Sequence, residues 1–332
     1  MNYQRYCDWK EEVLKKRSPR RLDCMNPVKA LEFIAAPVEQ VKHPVSPAEL
    51  LQWWKTTFAL GVELGQFAMG RGVRQILQLV LECLYNEGRT LWLPQDVYPV
   101  YSELAGRLCT RPYETLVDFN LDFLDDSSDT DVLLITDPLT PLGRYLRIHE
   151  LEQCDEWLRK SPNRLLIIDA VYCFGPDRLS RLNDILQTDQ AVVLHSLSKA
   201  WLAPHLLGVA ACPRRLTKEI DGQGNGYPMD SLDIQQAHSI VTADPGRPLL
   251  LQKLFFQQWL ILEPEIRKAS DDWRPPQTGY FSLVPVNNNS LLQEHDILAV
   301  PASVFGSKRE NLSVISCLFD IRTNQEIFDR RN

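Results

Sequence analysis

Three polar groups in this chain stand where apolar runs end, and their types could do chemistry together. Asp137 follows Val-Leu-Leu-Ile-Thr, Asp169 closes Leu-Leu-Ile-Ile-Asp, and Ser196-Leu-Ser-Lys199 follows Ala-Val-Val-Leu-His. Each run reads as a buried strand, and in open α/β sheets ligands bind at the carboxyl ends of strands. A carboxylate at such an end is costly to bury unless a cation or a donor meets it. A lysine at another strand end, flanked by two serines, is equally unusual in a parallel core. Any one of them alone could sit half-exposed at the rim of a sheet. Together they describe a site with an anion, an amine and hydroxyl donors.

The elements that must position these groups follow from periodicity. Val73, Ile76, Leu77, Val80, Leu81 and Leu84 fall at helical spacing, which predicts a helix over 73–84. A strand over 90–93 and a helix over about 99–108 come next, then buried strands at 132–136, 165–169, 191–195 and 207–212, with helices over 148–160 and closing at 184–187. Strands apolar on both faces and separated by helices predict an α/β fold with a mostly parallel sheet sandwiched by helices. Beyond Pro213 the pattern changes to one long helix, 249–268, short strands near 280–285, 297–301 and 312–318, and a terminal helix near 325–330. The expected division is a large domain over 46–235 and a smaller α+β domain from 1–45 plus 236–332, with 223–228 as a flexible loop.

Composition narrows the partners. Of 332 residues, 44% are hydrophobic and 24% charged, ordinary values for a globular protein, and the net charge of −7 lacks the basic face a nucleic-acid binder needs. No apolar run approaches the roughly 20 residues of a membrane helix, and no apolar stretch follows the charged start as a secretory signal would. The eight cysteines are scattered without a C-x-x-C pair, which fits neither a disulfide framework nor a zinc site. The expectation is a cytoplasmic protein with no metal and no nucleic-acid or membrane partner.

The pair Asp169-Ala-Val-Tyr172 and Ser196-Leu-Ser-Lys199-Ala-Trp201, with its lysine 199 − 169 = 30 residues after its aspartate, resembles fold-type-I pyridoxal-phosphate enzymes, especially the class I/II aminotransferases. In that family a D-x-x-Y follows one strand and an S-x-S-K the next. The stretch from Asn86 to Pro94 is similar to the family's strand entry, and Tyr98-Pro-Val-Tyr101 to its Y-P-x-Y. Gly72-Val73-Arg74 sits where the family has a phosphate loop at a helix start, and Val300-Pro-Ala-Ser-Val-Phe-Gly306 resembles its P-G-x-x-F-G segment. The resemblance spans roughly residues 50–330. It implies an aspartate-aminotransferase-like large domain and pyridoxal 5'-phosphate as cofactor. Lys199 would form an imine with the cofactor aldehyde, yield to the substrate amine and carry the proton lost from the substrate's α-carbon. Asp169 would keep the pyridine nitrogen protonated so that the ring accepts electrons. Tyr172 would donate to the ring's 3-oxygen and Tyr98 would stack on the ring, a reading favoured for both over that of core aromatics. Ser196, Ser198 and the backbone N–H groups of Gly72 and Val73 would hold the phosphate at a helix N-terminus. The resemblance also implies a homodimer with sites at the subunit interface, which Tyr227 in the 223–228 loop would reach.

Three departures bear on the reaction. The family's N-P-x-N-P-T-G stands here as Asp137-Pro-Leu-Thr140-Pro-Leu-Gly143, so the asparagine on the ring oxygen is replaced by Thr140, whose hydroxyl can still donate. The segment from Lys199 to Gly208 is one residue short and lacks the phosphate arginine; His205 lies nearby and Arg74 could supply charge from another side. Ser313 stands where the family places its substrate-carboxylate arginine, and a hydroxyl cannot reproduce a bidentate arginine–carboxylate pair. Either Arg309 or Arg322 takes over, or the substrate is not a simple α-amino acid. Asn26-Pro27 is similar to the remnant of a substrate-facing N-E-x-P stretch, or is a plain Asn-Pro turn.

The resemblance thus points to an aminotransferase-like enzyme acting on an amine or unusual amino acid through an external aldimine. The alternatives are decarboxylation, elimination or cyclisation of an amino acid with the same cofactor, or a non-catalytic protein retaining the fold. A nicotinamide-binding fold is disfavoured because no G-x-G-x-x-G follows an early strand.

Overall fold

The computed structural model describes residues 1–32, 44–116, 121–222 and 229–319. Tyr227 with its 223–228 loop, Arg322 and the expected terminal helix lie outside the described residues. The chain opens with the helix Tyr3–Lys16 and a two-residue strand, β1 (Arg20–Arg21). Seven strands then form the central sheet: β2 (Phe67–Gly70), β3 (Thr90–Pro94), β4 (Cys109–Tyr113), β5 (Val132–Thr136), β6 (Leu165–Asp169), β7 (Ala191–Ser196) and β8 (Gly208–Ala211). Their spatial order is β2-β8-β7-β6-β5-β3-β4. All neighbours pair in parallel except β8, which runs antiparallel to both β7 and β2. The expected α/β fold with a mostly parallel sheet is therefore present.

The apolar runs become strands because both of their faces are covered. Alternate side chains of a strand point to opposite faces, and the residues divide accordingly. Leu133, Ile135, Leu166, Ile168 and Val193 enter one core, together with Trp54 and Trp157. Val132, Leu134, Leu165, Ile167, Val192 and Leu194 enter the other, where the helix Val73–Asn86 supplies Ile76, Leu77, Val80 and Leu84. Each fully buried leucine or isoleucine there contributes about 1.5–3 kcal/mol, so a charged residue at Ile167 would break the sheet's centre.

The helix expected at 99–108 is shorter, Val100–Ala105, because Gly106 at φ 52° ends it and the chain turns into β4. The polar residues of β4 hid it: Cys109 to Pro112 are exposed on an edge strand, a position that tolerates proline. Past β8 come the helices Ser231–Ala243 and Arg247–Ala269, then β9 (Phe281–Val284), β10 (Ile297–Leu298), β11 (Val300–Pro301) and β12 (Ser313–Ser316). The strands β11-β12-β9 form an antiparallel sheet and β10 pairs with β1. Among the described residues no helix is long and apolar enough to cross a membrane.

Candidate active site

Asp169 ends β6 with 4% of its surface exposed. Its carboxylate accepts from the Tyr101 hydroxyl at 2.6 Å and from the Val171 N–H at 3.0 Å. Burial pushes its pKa above the usual carboxylate value, while the Tyr101 hydrogen bond, the Val171 N–H and the charge of Lys199 act in the opposite direction. Tyr101 comes from the helix Val100–Ala105, whose N-cap follows the half-exposed Tyr98.

Lys199 lies one strand over, in the short helix Leu197–Ala200 at the end of β7. Ser196, fully buried, caps this helix by accepting from the Ser198 N–H at 3.2 Å. The Lys199 ammonium nitrogen stands 5.6 Å from the Tyr172 ring centroid and 6.0 Å from that of Tyr280. Burial and the Arg74 guanidinium lower its pKa to about 8, with Asp169 pulling upward. Carboxylate and amine thus feel one another across adjacent strand ends.

A glycine-built turn completes the cleft. Gly72, at φ 83°, caps the helix Val73–Asn86 without a side chain, so the first-turn N–H groups face outward with no side-chain acceptor at the cap. A methyl on Gly72 would stand 3.9 Å from the Ser198 hydroxyl and 3.8 Å from the His205 backbone, which places both beside the helix N-terminus. Gly208 makes this approach possible: a Cβ there would sit 2.4 Å from the Gly72 carbonyl carbon and 2.8 Å from the Val73 nitrogen. Arg74, in the helix's first turn, donates to the Tyr98 hydroxyl at 3.1 and 2.6 Å and lies 5.6 Å from its ring centroid.

The structure therefore brings Asp169, Tyr172, Ser198, Lys199, Gly72, Val73, Arg74 and Tyr98 into one neighbourhood at the ends of β6 and β7, with the fully buried Ser196 capping the Lys199 helix beneath them. Thr140 borders it together with Tyr172, Tyr280 and Phe281, its hydroxyl directed at the Pro138 carbonyl 3.4 Å away. Asp137 does not join the cleft chemistry: it is buried, accepts from the Leu146 N–H and is ion-paired with Arg181 at 2.8 Å. Ser313 is fully buried and donates to the Val286 carbonyl at 2.7 Å. Arg309 is exposed, with its N–H on the Ser307 hydroxyl. Asn26 caps the short helix Pro27–Ala30 by accepting from Val28 and Lys29, as an Asn-Pro turn does. Two residues of this region had no role in the sequence reading, Tyr101 and Tyr280. Tyr101 carried a signal, as the last residue of the Tyr98-Pro-Val-Tyr101 stretch that resembles the family's Y-P-x-Y; Tyr280 read only as the start of a strand.

Comparisons with known proteins bear on this geometry. Histidinol-phosphate aminotransferase 1 of Bordetella parapertussis is 28% identical over 185 residues, 52% of this chain and 50% of that protein. Histidinol-phosphate aminotransferase of Clostridium botulinum is 25% identical over 255 residues, 74% of this chain and 67% of that protein. The chain spans about half the length of most of the curated relatives it matches. Among solved structures, aspartate aminotransferase from Thermotoga maritima superposes with a TM-score of 0.74 at 17% identity, covering 99% of this chain and 96% of that one. Aspartate aminotransferase from Rhizobium meliloti gives 0.70 at 19% identity, with 98% and 93% covered. No protein-family model matches the chain. The fold is thus like that of aspartate aminotransferases, and the sequence likeness is to histidinol-phosphate aminotransferases, relatives of the fold-type-I, class I/II aminotransferase group.

That group uses pyridoxal phosphate, and the residues present fit it. A buried carboxylate and a half-buried amine of lowered pKa stand together, and an uncapped helix start with a neighbouring hydroxyl offers an anion cradle.

Proposed function

We propose that the chain is a pyridoxal-phosphate-dependent aminotransferase acting on a small amine or an unusual amino acid. The observation that carries this reading is that Asp169 and Lys199 stand at the ends of the adjacent strands β6 and β7, close enough for each charge to act on the other. When bound, the cofactor supplies an aldehyde that condenses with amines and a ring that accepts the electron pair left at an α-carbon. Asp169, fixed by Tyr101 and Val171, holds the proton on the ring nitrogen. Lys199 at a pKa of about 8 is free amine nearer neutral pH than an ordinary lysine, as a group that takes and returns a proton requires. Tyr172 would donate to the ring's 3-oxygen and Tyr98 would cover its face. The Val73–Asn86 helix start, Ser198 and Arg74 would hold the phosphate.

The amine reading has its own support. Position 313 carries a hydroxyl already bonded to Val286, so no arginine there grips a carboxylate. The first relatives are named for a phosphorylated amino alcohol, an amine without an α-carboxylate. A homodimer, and a large domain over 46–235 with a small one from 1–45 plus 236–332, belong to the same reading.

Borohydride reduction of the loaded protein should fix the cofactor to the Lys199 peptide, seen by mass spectrometry, and Lys199→Ala should lose this adduct. Amine donors should then convert the bound cofactor to pyridoxamine phosphate, about 10²-fold more slowly in Asp169→Ala. A wild type without the adduct sinks the reading. An adduct with no pyridoxamine phosphate across a broad panel of amines would favour decarboxylation, elimination, cyclisation or a non-catalytic role.

A further inference from the structure

The hydroxyl of Tyr280 lies 3.2 Å from that of Tyr172. Tyr280 is fully buried just before β9, and both its ring and its backbone are fixed. The ring packs against Phe255 at 5.4 Å, Phe281 at 4.2 Å and Tyr172 at 5.6 Å between centroids. Its carbonyl accepts from the Cys317 N–H at 3.1 Å. A side chain held this firmly can aim its single polar atom, and that atom points at Tyr172. Thr140, which stands where the resemblance places an asparagine, directs its hydroxyl at Pro138 instead. We infer that Tyr280 is a positioning residue of this site, donating to the Tyr172 oxygen and so turning the Tyr172 proton toward the ring's 3-oxygen.

The direction of donation follows from charge. Two hydroxyls at this separation share one hydrogen bond, and either could donate. A hydrogen bond to an ionised oxygen is roughly twice as strong as one between neutral groups. Tyr172 therefore gives its proton to an anionic ring oxygen, which leaves its own lone pair for the Tyr280 proton. Linked hydrogen bonds polarise one another, so donation by Tyr280 makes Tyr172 the stronger donor. Removing the Tyr280 hydroxyl weakens that support for the anion and raises the pH at which the bound cofactor loses its proton.

This inference rests on the proposed cofactor, and the experiment separates the two. The absorption of the loaded protein is titrated against pH for wild type, Tyr280→Phe, Tyr172→Phe and the double variant. Tyr280→Phe should move the midpoint up by about half a pH unit, but by less than about 0.1 of a unit in the Tyr172→Phe background. Replacing Tyr280 by 3-fluorotyrosine, a stronger donor of nearly the same shape, should move it down. It also decides the matter should Tyr280→Phe fail to fold. A silent Tyr280→Phe, an equal shift in both backgrounds, or no downward shift with 3-fluorotyrosine overturns the inference while the Lys199 adduct still stands. A wild type that never forms that adduct overturns both.

Discussion

At Lys199 burial and a guanidinium oppose the charged amine while a carboxylate favours it, and the balance leaves a pKa of about 8. Each contributor can be removed singly. In the cofactor-free protein, modification of Lys199 by an amine-directed reagent, followed by mass spectrometry across pH, should show a midpoint near 8. Arg74→Gln takes away a repelling charge and should raise that midpoint; Asp169→Asn takes away an attracting one and should lower it. An unfolded lysine keeps its proton to about pH 10.4, so between the two values the unfolded chain binds more protons. The folding stability linked to Lys199 therefore rises with pH across that window and is lowest below it. Asp169 and Lys199 were legible in the sequence because a charge that ends an apolar run contradicts its surroundings. Tyr280 was not, and Tyr101 only through its Y-P-x-Y stretch without a role, since a buried aromatic fits an apolar pattern as well as a valine does. Only the partner of each hydroxyl separates them from ordinary core residues.

At the level of elements, the cleft depends on a helix start pressed against a strand start. Gly208→Ala would drive a methyl into the backbone of Gly72 and Val73. Neither side can retreat as a flexible side chain would, so the expected cost is about 1–3 kcal/mol. The variant should show a lower Tm together with weakened cofactor affinity, measured by fluorescence titration. Alanine at Gly246, whose Cβ would meet nothing within 4 Å, serves as the control. The same contrast explains which strands the sequence revealed. β5, β6, β7 and β8 are buried along their whole length and read as continuous apolar runs. β2 is four apolar residues ending in glycine, too short for a period to show, and β4 is an exposed edge without the apolarity that marks a strand. Their places follow from pairing with neighbours far away in sequence, which no local window contains.

On the scale of the whole molecule, the proposed ligand would tie together segments more than a hundred residues apart, from Gly72 to Lys199. Anything that binds the folded chain and not the unfolded one adds stability by mass action, about 2.7 kcal/mol at a hundred times Kd. Thermal unfolding should therefore move upward with pyridoxal-phosphate concentration, and Lys199→Ala should shorten that rise. A Tm indifferent to the cofactor would mean that the segments are not bridged. The reversed strand β8 has a consequence for how the molecule comes into being. It is the spacer between β7 and β2, so the turn at Gly72 has no ledge to rest on until the chain has been extended through Ala211. A nascent chain stalled just short of that point would already own its aspartate and its lysine, and would still have nowhere to seat a phosphate. On the proposed reading, competence to hold the ligand would arrive with a four-residue segment that contributes no chemistry at all.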